Sequence, residues 1–159
     1  MNIVIANRQR TKKINSRLLR QIATGLFAEL KITEAELGIN LVGTREMALV
    51  NETFLQHEGP TDVITFDHSN LEPRIQNLEL HGELFICVAV AISQAKEFKS
   101  SWQMEVVRYI VHGVLHLLGH DDFKPRLRRK MKRVENRLVR RLAKRFSLAQ
   151  PSNTAKLGA

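Results

Sequence analysis

Three of the six histidines fall within nine residues, in the run His112-Gly113-Val114-Leu115-His116-Leu117-Leu118-Gly119-His120-Asp121-Asp122. On a helix, residues four apart share a face with Cβ atoms about 5–6 Å apart. His112 and His116 can therefore offer two imidazole nitrogens to one metal ion. Gly119 lets the chain leave the helix with positive φ, and the turn can bring a third ligand under the pair. Asp122 is favoured for that place. His120 is the softer zinc donor, but it lies only four residues after His116 and would need the helix to run on through Gly119. A lone histidine on an apolar helix is usually a core residue. Two at this spacing, with a glycine and a third donor in register, point to metal instead. Two imidazoles and a carboxylate, with a fourth position open to water, form a catalytic zinc arrangement, one Zn²⁺ per chain. No catalytic group is identified beyond that water.

The spacing His-x-x-x-His-x-x-Gly-x-x-His/Asp is that of the metzincin metalloproteases. In those enzymes a Glu follows the first histidine and serves as general base. Here that position is Gly113. The ligand spacing is kept while the proteolytic base is missing.

Positioning these residues requires a helix over Trp102–Leu118, whose apolar residues (Val106, Val107, Ile110, Val111, Val114, Leu115, Leu118) predict a central, largely buried element. Around it the pattern predicts strands at Ile3–Ala6, Leu37–Val42, Val63–Phe66 and Glu83–Val88. Further helices are expected from Asn15 or Ser16 to Leu30, from Thr44 through Phe54, over Ala89–Lys99, and from Pro125 to Phe146. The last has Leu127, Met131, Val134, Leu138 and Leu142 as its buried stripe. His57-Glu58-Gly59-Pro60 breaks the second helix, and Asp67–Asn77, with Pro73, reads as a loop. Interleaved strands and helices predict one α+β domain, a mixed sheet of about four strands packed with helices, including the metzincin-like zinc helix. It spans 1–149, with 150–159 a frayed tail.

The 159 residues, 43% hydrophobic and 26% charged, describe an ordinary globular chain. A single Cys87 excludes an internal disulfide and a four-cysteine zinc module and fits a reducing compartment, where no disulfide-linked partner is expected. The longest uncharged apolar run, Leu84–Ala95, is too short for a membrane helix, and the first residues do not form a signal peptide. The expected location is the cytoplasm. The net charge of +9 is concentrated: Lys124–Phe146 holds twelve Lys/Arg against Glu135 alone, leaving the rest slightly acidic. So many like charges repel one another, which favours a polyanionic partner over a merely solvated face. Arg129, Arg133 and Arg140, off the apolar stripe, are the candidate RNA contacts.

The histidine run closely resembles the His-Gly-x-Leu-His-Leu-x-Gly-Tyr-Asp-His signature of the bacterial YbeY family of rRNA maturation factors. Gly59-Pro60-Thr61-Asp62-Val63-Ile64-Thr65-Phe66 resembles that family's Pro-Thr-Asp-Val-Leu-Ser-Phe segment, and Gly82-Glu83-Leu84-Phe85-Ile86 its Gly-Asp-Ile strand. The likeness runs from about Ile3 to Phe146. It implies a zinc-dependent, single-strand-specific endoribonuclease acting in 16S rRNA 3′-end maturation and ribosome quality control, with ribosomal RNA and the small subunit as partners. There are departures. The family's last His is Asp122 and its Tyr is His120. Its Arg five residues before the proline, tied to RNA handling, is Leu55, with His57 a speculative substitute. Trp102 is the one aromatic of note near the motif, so no base-stacking platform is evident, and cleavage-site choice is expected to come from the ribosome.

Two other readings share parts of the pattern. A non-enzymatic ribosome-binding factor would hold the metal structurally. A zinc metallopeptidase would share the ligand spacing but lacks the Glu and has no use for a polyanion-binding helix.

Overall fold

The computed structural model describes residues 1–55, 59, 61–69 and 79–148. His57, Pro60, Pro73, most of the expected loop to Asn77 and the 150–159 tail lie outside the described residues. The strands are β1 (Asn2–Asn7), β2 (Glu34–Val42), β3 (Val63–Asp67) and β4 (Glu79–Cys87), in the order β1-β2-β4-β3. β1 and β4 flank β2 in parallel, while β3 runs antiparallel along β4. This is the mixed four-stranded sheet expected of a single α+β domain.

The helices are α1 (Ser16–Glu29), α2 (Thr44–Val50), α3 (Val88–Glu97), α4 (Trp102–Leu117) and α5 (Pro125–Arg145). Asn15 caps α1 by accepting a hydrogen bond from the Leu18 N–H at 3.0 Å. Ser101 does the same for α4 through Met104. Pro125 opens α5, where its missing N–H costs nothing. β2 and β4 begin earlier than the alternation suggests, at Glu34 and Glu79, because their polar first residues pair with one another across the sheet. The helix expected from Thr44 through Phe54 stays α-helical only to Val50 and widens to a π-turn over Asn51–Leu55. The Asn51 amide donates to the Gly59 carbonyl at 2.8 Å, tying the turn to the chain that returns to β3.

α4 is the central helix. Val106, Val107, Ile110, Val111, Val114 and Leu115 are fully buried against the sheet and neighbouring helices, whereas Leu118 is half-buried. Each fully buried aliphatic side chain of this kind contributes about 1.5–3 kcal/mol relative to exposure. The helix lies very close to β4. A Cβ placed on Gly113 would meet Leu84 Cδ2 at 2.6 Å, and one on Gly82 would meet Leu117 Cδ2 at 2.7 Å. Glycine at both positions is what permits the approach.

α5 packs on α4 and α1. Met131, Leu138 and Leu142 of its expected stripe are buried, and Leu127 and Val134 only half-buried. The buried face also includes Val139 and, unexpectedly, Glu135.

Candidate metal centre

α4 ends in a Schellman turn. Gly119 adopts φ +95, its N–H donates to the His116 carbonyl, and the His120 N–H donates back to Leu115. The reversal sends Asp121 and Asp122 beneath the last turn of α4. Arg128, from the first turns of α5, fixes the loop by donating through Nε to the Asp122 carbonyl at 3.1 Å. Asp121 accepts from the Phe123 N–H at 2.8 Å, holding the turn from the other side.

This brings His112, His116 and Asp122 together, with one ligand atom from each lying within 4.8 Å of the others. The two Nε2 atoms are 3.1 Å apart. Asp122 Oδ2 stands 3.8 Å from His112 Nε2 and 3.5 Å from His116 Nε2. Tetrahedral bonds of about 2.0–2.1 Å to zinc require ligand atoms about 3.3–3.4 Å apart. The three separations bracket that value, so the donor set fits a small divalent cation. The side chains are about one-quarter to two-fifths exposed, leaving the cluster open on one side.

The other ring nitrogens are occupied. His116 Nδ1–H donates to the His120 carbonyl at 3.0 Å. His120 thus serves the cluster through its backbone, and its imidazole is not part of the group. Its ring pKa is lowered by burial and then by Lys130 and His116.

His112 Nδ1 meets Glu135 Oε1 at 2.6 Å. Glu135 also accepts from Arg108 Nη1 at 2.7 Å and Lys132 Nζ at 3.1 Å, although its side chain is only 3% exposed. Burial pushes its carboxyl upward, but the hydrogen bonds from His112 and Arg108, joined by Lys132, outweigh it and hold the pKa at about 2. Burial pulls the His112 pKa down, and Glu135 reverses this to a net rise. Both histidines therefore have a fixed tautomer, with Nε2 turned toward Asp122.

Glu135 and Arg108 escape a reading of the sequence that counts Glu135 only as the lone acid among cations. A signal was present: Met131, Glu135, Leu138 and Leu142 fall on one helical stripe, and Arg108, His112 and His116 on another.

Arg129, Arg133 and Arg140 are exposed on α5, away from its buried stripe. Arg133 and Arg140 share a shallow groove with Lys130 and Arg137, while Arg129 lies outside it. Leu55, 43% exposed in the π-turn, puts no charge where the resemblance leads one to look for Arg.

Contrary to the expectation from the sequence, Trp102 is not the one aromatic of note near the cluster. Trp102 is half-buried with Lys12 Nζ 5.9 Å over its ring. Phe123, beside Asp122, is 87% exposed and Phe98 64% exposed, so aromatic surface is available near the cluster after all. Both stood outside the histidine run and its helix, where the apolar pattern drew no attention to them.

A family model described as Endoribonuclease YbeY matches residues 4–143. Among curated proteins named Endoribonuclease YbeY, the one from Chlorobium luteolum is 31% identical over 142 residues, covering 89% of this chain and 98% of that protein. That from Acidothermus cellulolyticus is 34% identical, covering 87% of this chain and 90% of its own length. The Myxococcus xanthus protein of the same name is 33% identical over 124 residues, and the chain spans 42% of its greater length. The solution structure of TM1509 from Thermotoga maritima superposes with a TM-score of 0.65 at 24% identity, covering 91% of each chain, which shows the shared fold.

Proposed function

The chain belongs to the YbeY endoribonuclease family, and from that premise we propose that it is a zinc-dependent hydrolase of single-stranded RNA. Its place is in the cytoplasm, on the small ribosomal subunit, in maturation of the 16S rRNA 3′ end and ribosome quality control. The observation that carries the reading is the open His112, His116 and Asp122 cluster packed directly against a strongly basic helix. The family name speaks for RNA as substrate, and the charge of α5 supports a polyanion independently.

When bound, a zinc ion supplies Lewis-acid stabilisation of charge on phosphoryl oxygens and lowers the pKa of an attacking water. The protein's own residues prepare for this. His112, His116 and Asp122 would hold the ion. Glu135 and the His120 carbonyl keep the two Nδ1 protons in place, so both Nε2 lone pairs stay available. Arg129, Arg133 and Arg140 would bind the RNA backbone through phosphate charge, which positions a strand without reading its sequence.

The structure disfavours a peptidase. Position 113 faces Leu84 and Thr65 of the sheet, with no space for a glutamate base beside the ligands. A closed structural metal site is disfavoured by the exposure of the cluster. The test is cleavage of a single-stranded RNA and of the same sequence in duplex. Cleavage confined to the single strand, abolished by chelator and restored by zinc, is expected. A chelator that lowers only the melting temperature, with no cleavage to lose, would establish the structural-metal reading instead.

A further inference from the structure

Phe98 and Tyr109 both border a cleft of about 480 Å³ that opens beside His112. Phe98, just past the end of α3, presents a ring that is 64% exposed. Tyr109 lies one turn before His112 and is 5% exposed, and its hydroxyl has no hydrogen-bond partner among the described residues. Buried hydroxyls are almost always paired, so one that lacks a partner beside a cleft points to a ligand that supplies it.

The charge of the walls narrows the choice. Arg108 and Lys132 also line the cleft, but both are bound to Glu135, at 2.7 and 3.1 Å. Asp62 and Glu105 stand on the same walls. Asp62 Oδ1 accepts from the Val63 N–H at 2.7 Å and Glu105, 6% exposed, is hydrogen-bonded to Ser100, but a carboxylate can accept more than one such bond. Such acceptors suit the N–H and O–H donors of a base and a ribose.

We propose that this cleft seats the nucleoside of one unpaired nucleotide flanking the bond that is cut. The base stacks on Phe98 and turns its polar edge toward Glu105 and the Tyr109 hydroxyl. The cavity falls in the range of about 300–1,000 Å³ typical of small-ligand sites, room for one nucleoside and not for a stacked duplex. His112 forms part of the same wall, so a nucleoside held there carries its own phosphate toward the Nε2 pair. A base inside a helix would first have to leave its stack. The cleft therefore gives the chain its own reason to prefer single strands. The proposal rests on the RNA-cleaving reading above.

The test uses the zinc-loaded protein and short single-stranded RNAs with 2-aminopurine moved through successive positions. Fluorescence should be quenched on binding at one position next to the cut, retained with Phe98→Tyr and lost with Phe98→Ala. Phe98→Ala should lower kcat/KM by about tenfold, chiefly through KM, as expected for loss of one base stack. Tyr109→Phe should keep the melting temperature and zinc content while lowering kcat/KM by about fivefold. An abasic nucleotide at the quenched position, which removes both the stack and the polar edge, should cost wild type more than Phe98→Ala does and should cost Phe98→Ala less than it costs wild type.

Identical quenching and cleavage by wild type and Phe98→Ala at every position would overturn the cleft while leaving the enzyme intact. RNA that binds with Phe98-dependent quenching but is never cut would keep the cleft and overturn the nuclease reading. Failure to bind RNA at all would overturn both.

Discussion

His112 Nδ1 and Glu135 Oε1 lie 2.6 Å apart across the contact between α4 and α5. A metal-ligating imidazole is oriented by whatever its second nitrogen binds, and here that partner is a buried, ionised carboxylate on the most basic helix of the chain. Replacing such a partner typically costs about 10–100-fold in metal affinity. Glu135→Gln should weaken zinc binding within that range in a competition titration, with the fold retained. Glu135→Ala should also destabilise the protein by about 1–3 kcal/mol, because His112 and the partly exposed Arg108 lose their buried acceptor, and its melting temperature should show this.

The ligand set makes a second prediction. His112→Ala and His116→Ala should each remove most of the zinc retained after dialysis, and Asp122→Ala nearly as much. His120→Ala should keep the metal, since that residue reaches His116 through its main-chain carbonyl. Loss of zinc from His120→Ala with retention by Asp122→Ala would exchange their roles.

The Glu135 carboxyl sits at about 2, below its ordinary 4.5, so its contribution to stability is present above pH 4.5 and lost as pH falls toward 2. The urea midpoint of metal-free protein should drop over that window, and Glu135→Gln should flatten the drop. His112 moves the other way. Its raised pKa stabilises the metal-free fold below pH 6.5, and this is lost as pH rises through the raised value. Zinc must displace that proton, so calorimetry in buffers of different ionisation heat should detect more proton release from wild type than from Glu135→Gln at neutral pH.

Removing Arg129, Arg133 and Arg140 together tests the basic face. If all three meet phosphate, the log–log salt dependence of single-stranded RNA binding should flatten by about two units. Zinc content and folding should be unchanged, because all three are exposed. An unaltered slope would reduce α5 to a solvated surface.

Gly113→Ala places two effects in opposition. Alanine favours the helix by about 1 kcal/mol over glycine, but its Cβ would sit 2.6 Å from Leu84 Cδ2. Overpacking of this kind typically costs about 1–3 kcal/mol. The variant should be destabilised on balance, and Gly113→Glu should fail to fold rather than acquire peptidase activity. A more stable Gly113→Ala would show that Leu84 yields easily.

The residues that announce the site were legible because each obeys a local rule: i, i+4 spacing for the histidines, and a positive-φ glycine before Asp122. The strands and helices were legible through the periodicity of their apolar residues, with boundaries missed where pairing extended polar ends, as at Glu79. Glu135 was hidden for a different reason. Its role depends on which face of α5 meets α4, a tertiary fact, and its charge suggested solvent. Phe98 and Phe123 were passed over because exposure of an aromatic side chain is decided by what the fold leaves uncovered.

α5 turns Glu135 toward the metal ligands and its arginines toward solvent. Any polyanion bound on the outer face brings negative charge close to a site that would hold a divalent cation, and that attraction couples the two. Occupancy at the two places is therefore thermodynamically linked: if RNA tightens zinc by some factor, zinc must tighten RNA by the same factor. A chain stripped of metal would then release its strand more readily, and a strand held on the helix would guard the metal from loss.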